Sequence, residues 1–110
     1  MKSMRRADVI EILRANTEAI RAFGVTEMYL YGSAARDEAG AESDIDLFID
    51  VDYDRFGFVP FMDLREFMRK VLGRKVDLTT RTALHPDLKD NIVRSAIKVF
   101  DEENVDTVAA

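Results

Sequence analysis

Apolar residues recur at helical spacing through residues 6–23, with Val9, Ile12, Leu13, Ala19, Ile20 and Phe23 on one stripe and Gly24 placed to end it. The period then changes. Met28-Tyr29-Leu30-Tyr31 has the bulk of a buried strand and stops at Gly32, where a residue without Cβ allows a tight turn. Ser33 opens a short helical turn, Ala34-Ala35-Arg36, and the polar stretch Asp37–Ser43 is either a flap or plain connection. From Asp44 to Val51 the period is two, with Ile45, Leu47, Ile49 and Val51 on one face. A helix is predicted over Pro60–Leu72, with Phe61, Leu64, Met68, Val71 and Leu72 inward and Gly73 as its stop. A strand at Lys75–Thr79 points Val76 and Leu78 inward, and a last helix over Pro86–Phe100 buries Leu88, Ile92, Ala96 and Val99. Asp101–Ala110 reads as a frayed acidic tail. The order helix, strand, short helix, strand, helix, strand, helix predicts a single α/β domain: a small mixed β-sheet with helices packed on its apolar face.

The alternation that buries Ile45 and Leu47 turns Asp44 and Asp46 to the opposite face. Two carboxylates two residues apart on a strand repel each other unless a cation sits between them. Hard oxygen ligands of this kind suit Mg²⁺, which takes a few carboxylates and completes its shell with substrate phosphates. At the other end of the stretch, the free N–H groups and hydroxyl around Gly32-Ser33 favour phosphate. The pair reads as a site for a metal-bound nucleoside triphosphate. Asp50 shares the ideal face but lies far from Gly32-Ser33, so an exposed strand end is expected rather than a further ligand. Asp77, forced away from the core by Val76 and Leu78, is either a surface carboxylate or a third member of the cluster. Arg36 is either a surface cation or a group placed to approach the triphosphate or a partner. His85, before Pro86, reads as a helix cap or a surface group rather than as a base.

Composition narrows the picture. A chain of 110 residues fits one domain, with no second one to grip template and product as copying enzymes require. A net charge of −5 argues against a nucleic-acid substrate, whose backbone needs a basic face. Arg5, Arg6, Arg14 and Arg21 are interspersed with Asp8, Glu11 and Glu18, the pattern of a solvated face. Without cysteine there is neither disulfide nor thiolate site; without a long apolar run there is no membrane span, and Met1–Ala7 has no signal-peptide core, so cytoplasmic residence is expected. Tyr53–Phe61, with Phe56, Phe58 and Phe61, is an aromatic loop whose exposed part would suit a partner.

Gly32-Ser33, ten residues, then Asp44-Ile45-Asp46-Leu47 resembles the signature of the DNA polymerase β nucleotidyltransferase superfamily. Within it, GSAAR, SDIDL and GRKVDL are similar to the minimal nucleotidyltransferases (MNT), the antitoxin half of HEPN/MNT toxin-antitoxin pairs, and the likeness runs from the first helix to Phe100. The resemblance implies a catalytic palm in which Asp44 and Asp46 bridge two Mg²⁺ ions and Asp77 holds the one carrying the attacking hydroxyl. It implies ATP as substrate, its phosphates gripped by Gly32 and Ser33 and approached by Arg36, and AMP transfer to a tyrosine of a HEPN ribonuclease toxin. Phe56–Phe61 and Arg36 are the expected docking surface, and a homo-oligomer stays open. Two rivals remain: an antitoxin that only masks its toxin, which the intact Ser33 and three carboxylates speak against, and transfer to a small-molecule hydroxyl, which normally needs an additional domain.

Overall fold

Strand β1 (Val25–Tyr31) is the middle of the protein in every sense, because both neighbours in the sheet pair with it and the helices pack beneath it. The computed structural model describes residues 4–40 and 43–102. Around β1 they place α1 (Arg6–Ala15), α2 (Thr17–Ala22), the short α3 (Gly32–Ala35), β2 (Ile45–Val51), α4 (Phe58–Leu72), β3 (Val76–Thr80), α5 (Pro86–Ser95) and β4 (Ile97–Phe100). The sheet order is β3-β2-β1-β4. β1 is antiparallel to both β2 and β4, while β2 and β3 run parallel, and α4 supplies the crossover that a parallel pair requires. The mixed sheet is as expected.

One face of it is apolar. Met28 and Leu30 of β1, Ile45, Leu47 and Ile49 of β2, and Val76 and Leu78 of β3 pack on Val9, Leu13, Ile20, Leu64 and Met68, all buried. Among the described residues no helix is long and apolar enough to cross a membrane.

Four expectations change. The first helix is broken at Asn16, whose amide donates to the Ile12 carbonyl (2.8 Å) while the Thr17 hydroxyl donates to that of Arg14 (2.9 Å). Side chains that bond to the preceding turn compete with the helix's own ladder. The last predicted helix stops at Ser95, whose hydroxyl folds back on the Asn91 carbonyl (2.9 Å), and Ala96 is extended. Ile97-Lys98-Val99-Phe100 then pairs with β1 in the register Met28↔Phe100, Leu30↔Ile97, since a free strand edge and β-branched residues outweigh continued helix. Leu88, expected inside, is 53% exposed, and Val99 is buried from the strand rather than from a helix. The solvated-face reading fails for Arg14 and Arg21: Arg14 donates to the carbonyls of Val99 (3.0 Å) and Lys98 (3.3 Å), Arg21 to that of Asp101, and together they hold β4 in place. Finally, Asp101 is tied down by Lys98 (2.7 Å); the rest of the expected tail, 103–110, lies outside the described residues.

The second face of the sheet is closed at one end by a compact polar-aromatic cluster. Tyr29 stacks on Phe48 at 4.8 Å, and the Arg81 guanidinium lies 5.0 and 5.1 Å from the two ring centres. Its fork donates to both Asp50 oxygens (2.8–3.1 Å), with Glu27 3.7 Å away and accepting from the Tyr29 hydroxyl (2.8 Å). Asp50 is therefore an ion-pair partner and not an open carboxylate. Arg81→Ala should cost about 1–2 kcal/mol, a buried pair's value discounted for partial exposure. Arg81→Lys should recover only part of it, because an ammonium cannot fork. Urea denaturation of the three proteins checks this, and a full recovery by lysine would contradict the geometry.

Candidate active site

The site begins where β1 ends. Tyr31 is extended, Gly32 turns with φ +72°, and α3 starts at once. A Cβ on Gly32 would lie 2.2 Å from Oδ2 of Asp46 and 3.1 Å from its Cγ, so a side chain there would displace the carboxylate, and the left-handed backbone disfavours one as well. The glycine is thus the floor on which the Asp46 carboxylate rests.

Register brings the other groups alongside. Tyr31 faces Asp46 across β1 and β2, and Asp46 faces Asp77 across β2 and β3, so a tyrosine and two carboxylates occupy neighbouring rungs on the face away from the core. Asp44 precedes the strand instead of opening it, since the ladder begins with Ile45 N–H donating to the Lys75 carbonyl (2.9 Å). It and Asp77 are exposed, whereas Asp46 is half-buried. Burial first, then the charges of Asp77 and Asp44, push the Asp46 carboxyl up to about 6, and Arg36 pulls the other way. The same burial and the Asp46 and Asp77 charges raise the Tyr31 phenol to about 12, so it keeps its proton at neutral pH.

Arg36, on the exposed C-terminal side of α3, pairs with Glu38 at 3.0 Å yet is close enough for its charge to reach Asp46. Ser33 is half-buried within α3, and its carbonyl accepts from Glu38 N–H at 2.8 Å. The loop between α3 and Asp44 is anchored at points on either side of residues 41 and 42, which lie outside the described residues. Arg74 donates to the carbonyls of Gly40 and Ser43 (2.7 Å to the latter), and Asp37 accepts from the Arg6 N–H (2.8 Å). His85 caps α5 by accepting the Asp87 N–H at Nδ1 (3.1 Å), as expected.

Sequence reasoning missed one feature. A cleft of about 380 Å³ opens in front of Asp46 and Asp77, walled by Tyr31, Leu84, Leu88 and Ile92. Alternation along β1 is the signal that could have set Tyr31 on the face opposite Leu30; the wall from α5 depends on the α5–β4 boundary, which the helical spacing concealed.

Among the described residues no three carboxylate, imidazole or thiolate side chains stand close enough to cage a metal by themselves. The donor set fits a hard cation that takes one or two carboxylates here and fills its octahedron with water and phosphate oxygens, which is the habit of Mg²⁺. Two exposed carboxylates, Asp44 and Asp77, beside the half-buried Asp46, with one exposed arginine nearby, leave a charge that such a cation would neutralise.

The comparisons with known proteins agree with this arrangement. The profile of the nucleotidyltransferase domain matches residues 9–99. MJ1379 of Methanocaldococcus jannaschii, a proposed protein adenylyltransferase, is 35% identical over 96 residues, covering 84% of this chain and 96% of its own length. A solved structure of a proposed minimal nucleotidyltransferase is 30% identical and superposes with a TM-score of 0.66 over 80% of this chain and 93% of that one. A complex of tri-AMPylated Shewanella oneidensis HEPN toxin with its MNT antitoxin shares the fold at a TM-score of 0.60 and 17% identity, over 84% and 72% of the two chains. A domain profile running through all four strands, over a sheet that sets its carboxylates beside a glycine-serine turn, leads to one conclusion: the chain belongs to the nucleotidyltransferase domain family and, within it, to the minimal nucleotidyltransferases.

Proposed function

We propose that the protein is a metal-dependent adenylyltransferase that serves as an antitoxin, moving AMP from ATP to a tyrosine hydroxyl of a HEPN toxin. The observation that carries the chemistry is Asp46, rested on Gly32 and flanked by Asp44 and Asp77 with its carboxyl pushed up to about 6. A site that holds an anion so reluctantly is built for a cation. Support for a protein acceptor comes from the archaeal relative named as a protein adenylyltransferase, and for a toxin partner from the Shewanella complex.

In this reading Asp44, Asp46 and Asp77 would hold two Mg²⁺ ions. Bound there, the metal supplies charge neutralisation on the triphosphate and lowers the pKa of the attacking hydroxyl. The remaining work belongs to the chain. Ser33 and the turn at Gly32 hold the outer phosphates, and Arg36 offers a cation to the same charge. Of the expected docking aromatics, Phe56 and Phe61 pack on each other edge-to-face (6.2 Å) and against the core, so the surface left for a partner is Phe58, Val59 and Tyr53, 77%, 64% and 65% exposed.

Expressing the protein with the reading frame beside its own gene and weighing both chains intact tests the proposal. A tyrosine-borne AMP on the neighbour, lost with Asp46→Asn, is the expected result; an unmodified neighbour that is nonetheless neutralised would favour masking.

Asp46→Asn should abolish transfer without unfolding the protein. The folded carboxyl has a pKa above its ordinary 3.8, so the folded state holds this proton more tightly than the unfolded chain. Its contribution to stability therefore falls as pH rises from about 4 to 6, and at neutral pH the amide variant should melt at an equal or higher temperature, by on the order of 1 kcal/mol after solvent screening. Metal-free thermal melts at pH 4.5 and 7.5 check the sign; a variant that melts lower at pH 7.5 would make Asp46 structural.

Mg-ATP should raise the melting temperature by mass action, whereas ATP with a chelator should do so weakly, because an acidic site repels a bare triphosphate. Equal shifts in the two conditions would contradict a metal-bridged nucleotide.

A further inference from the structure

The last turns of α4 and the residues that follow it gather positive charge in an otherwise acidic chain. Residues 64–76 hold five cations, Arg65, Arg69, Lys70, Arg74 and Lys75, against the single carboxylate of Glu66. That is a local charge of +4 in a chain of −5, which leaves −9 on the rest. Glu66, Arg69, Lys70 and Gly73 recur at helical spacing on the face of α4 away from Leu64, Met68 and Leu72, and with Arg74 and Lys75 they line a solvent-open groove of about 380 Å³. Its lining residues include no apolar or aromatic side chain.

Local causes account for part of this charge. Cations in the last turn of a helix suit its dipole, which covers Arg69 and Lys70, and Arg69 also pairs with Glu66 at 2.9 Å. Arg74 spends Nη2 on the carbonyls of Gly40 and Ser43. Two features remain without such a cause. Lys70 and Lys75 are exposed and have no ion-pair partner among the described residues. Nη1 of Arg74 is shut off from solvent and donates to nothing, and a buried guanidinium N–H without an acceptor is costly.

We infer that this groove binds a free oligophosphate, an inorganic chain about as long as a triphosphate. A protein surface would need buried apolar and aromatic anchors, and the groove offers none. A nucleoside or a single-stranded base would need a ring to stack on, which is also missing. An oligophosphate asks only for charge and donors: its oxygens accept from the ammonium groups of Lys70 and Lys75 and from the Arg69 fork together, and an oxyanion is the kind of acceptor that Arg74 lacks. The volume is near the small end of ligand sites at ~300–1,000 Å³, which suits a short chain, whereas a nucleic-acid backbone would run past the four cations of the lining.

The groove is distinct from the carboxylate site, since none of Asp44, Asp46 and Asp77 lines it. It is tied to that site by the backbone. Arg74 holds the Ser43 carbonyl and the Lys75 carbonyl accepts the Ile45 N–H, so the residues on either side of Asp44 are both fastened to the rim of the groove. The inference stands independently of adenylyl transfer.

The test is a titration of the metal-free protein with sodium tripolyphosphate at low ionic strength, followed by amide NMR. Saturable shifts at Gly73, Arg74 and Lys75 are expected, with citrate at the same concentration giving far smaller ones. Replacing both lysines, Lys70→Gln with Lys75→Gln, should weaken binding roughly tenfold or more without lowering the melting temperature, and so should raising the salt to physiological strength. Lys70→Arg with Lys75→Arg, which keeps the charge, should retain binding. Amides that do not move, shifts confined to Ser33, equal shifts with citrate, or binding that survives the glutamine pair would overturn the inference. So would tighter binding of an RNA duplex at equal phosphate concentration, which would make the groove a backbone contact. Adenylyl transfer plays no part in this readout, so failure of the proposed function leaves the groove still decided by the titration.

Discussion

The contact between Asp46 Oδ2 and the backbone of Gly32 is the constraint on which the site depends. A carboxylate pressed this close leaves no space for a Cβ, and the left-handed turn at the same residue sends the chain from β1 into α3. One residue thus sets where the turn begins and leaves the room that the Asp46 carboxylate occupies. Asp77 follows from it by register, because β3 lies parallel to β2 with Asp46 and Asp77 opposite each other. The result is a local electrostatic conflict, partly desolvated and like-charged, that a cation placed there would relieve.

Such a conflict persists only if its surroundings are rigid. At the far end of β2 the Arg81 fork on Asp50, with Tyr29 and Phe48 stacked beneath it, locks β1, β2 and the turn after β3 on the same face as the carboxylates. On the opposite edge Arg14 holds β4 by its carbonyls and Arg21 holds the carbonyl of Asp101 just beyond it. These contacts are charge-assisted and partly withdrawn from water, so they offset crowding that the apolar face alone would not resist. The carboxylates stand on strands, and only Asp44, just outside β2, follows a loop; Arg74 fixes the described ends of that loop.

The parts visible in the sequence are those with a short-range cause. The period of two in Ile45–Val51 fixes the face of Asp46, the pair Val76 and Leu78 fixes that of Asp77, and Gly73 ends α4 in the left-handed region as its position implies. The parts that were hidden have long-range causes. Whether 97–100 is the end of a helix or a strand depends on an open edge of β1 almost seventy residues earlier, and helical spacing fits Leu88, Ile92 and Ala96 either way. Arg14 and Arg21 look solvated until β4 arrives to accept their hydrogen bonds. The cleft wall from α5 is hidden for the same reason, since it exists only once the chain has turned at Ser95 to reach the far edge.

The most direct test of this account is the affinity of the site for a spin-active divalent ion when Gly32 is changed. Mn²⁺ binding in the presence of a non-hydrolysable ATP analogue, measured by EPR for the native protein and for Gly32→Ala, reads the placement of Asp46 without requiring turnover. The account predicts that the alanine variant still melts cooperatively but binds Mn²⁺ roughly tenfold more weakly or worse, as expected when the supports of a metal ligand are disturbed. Equal Mn²⁺ affinity in the two proteins would show that the carboxylate does not need its glycine floor, and would contradict the central claim.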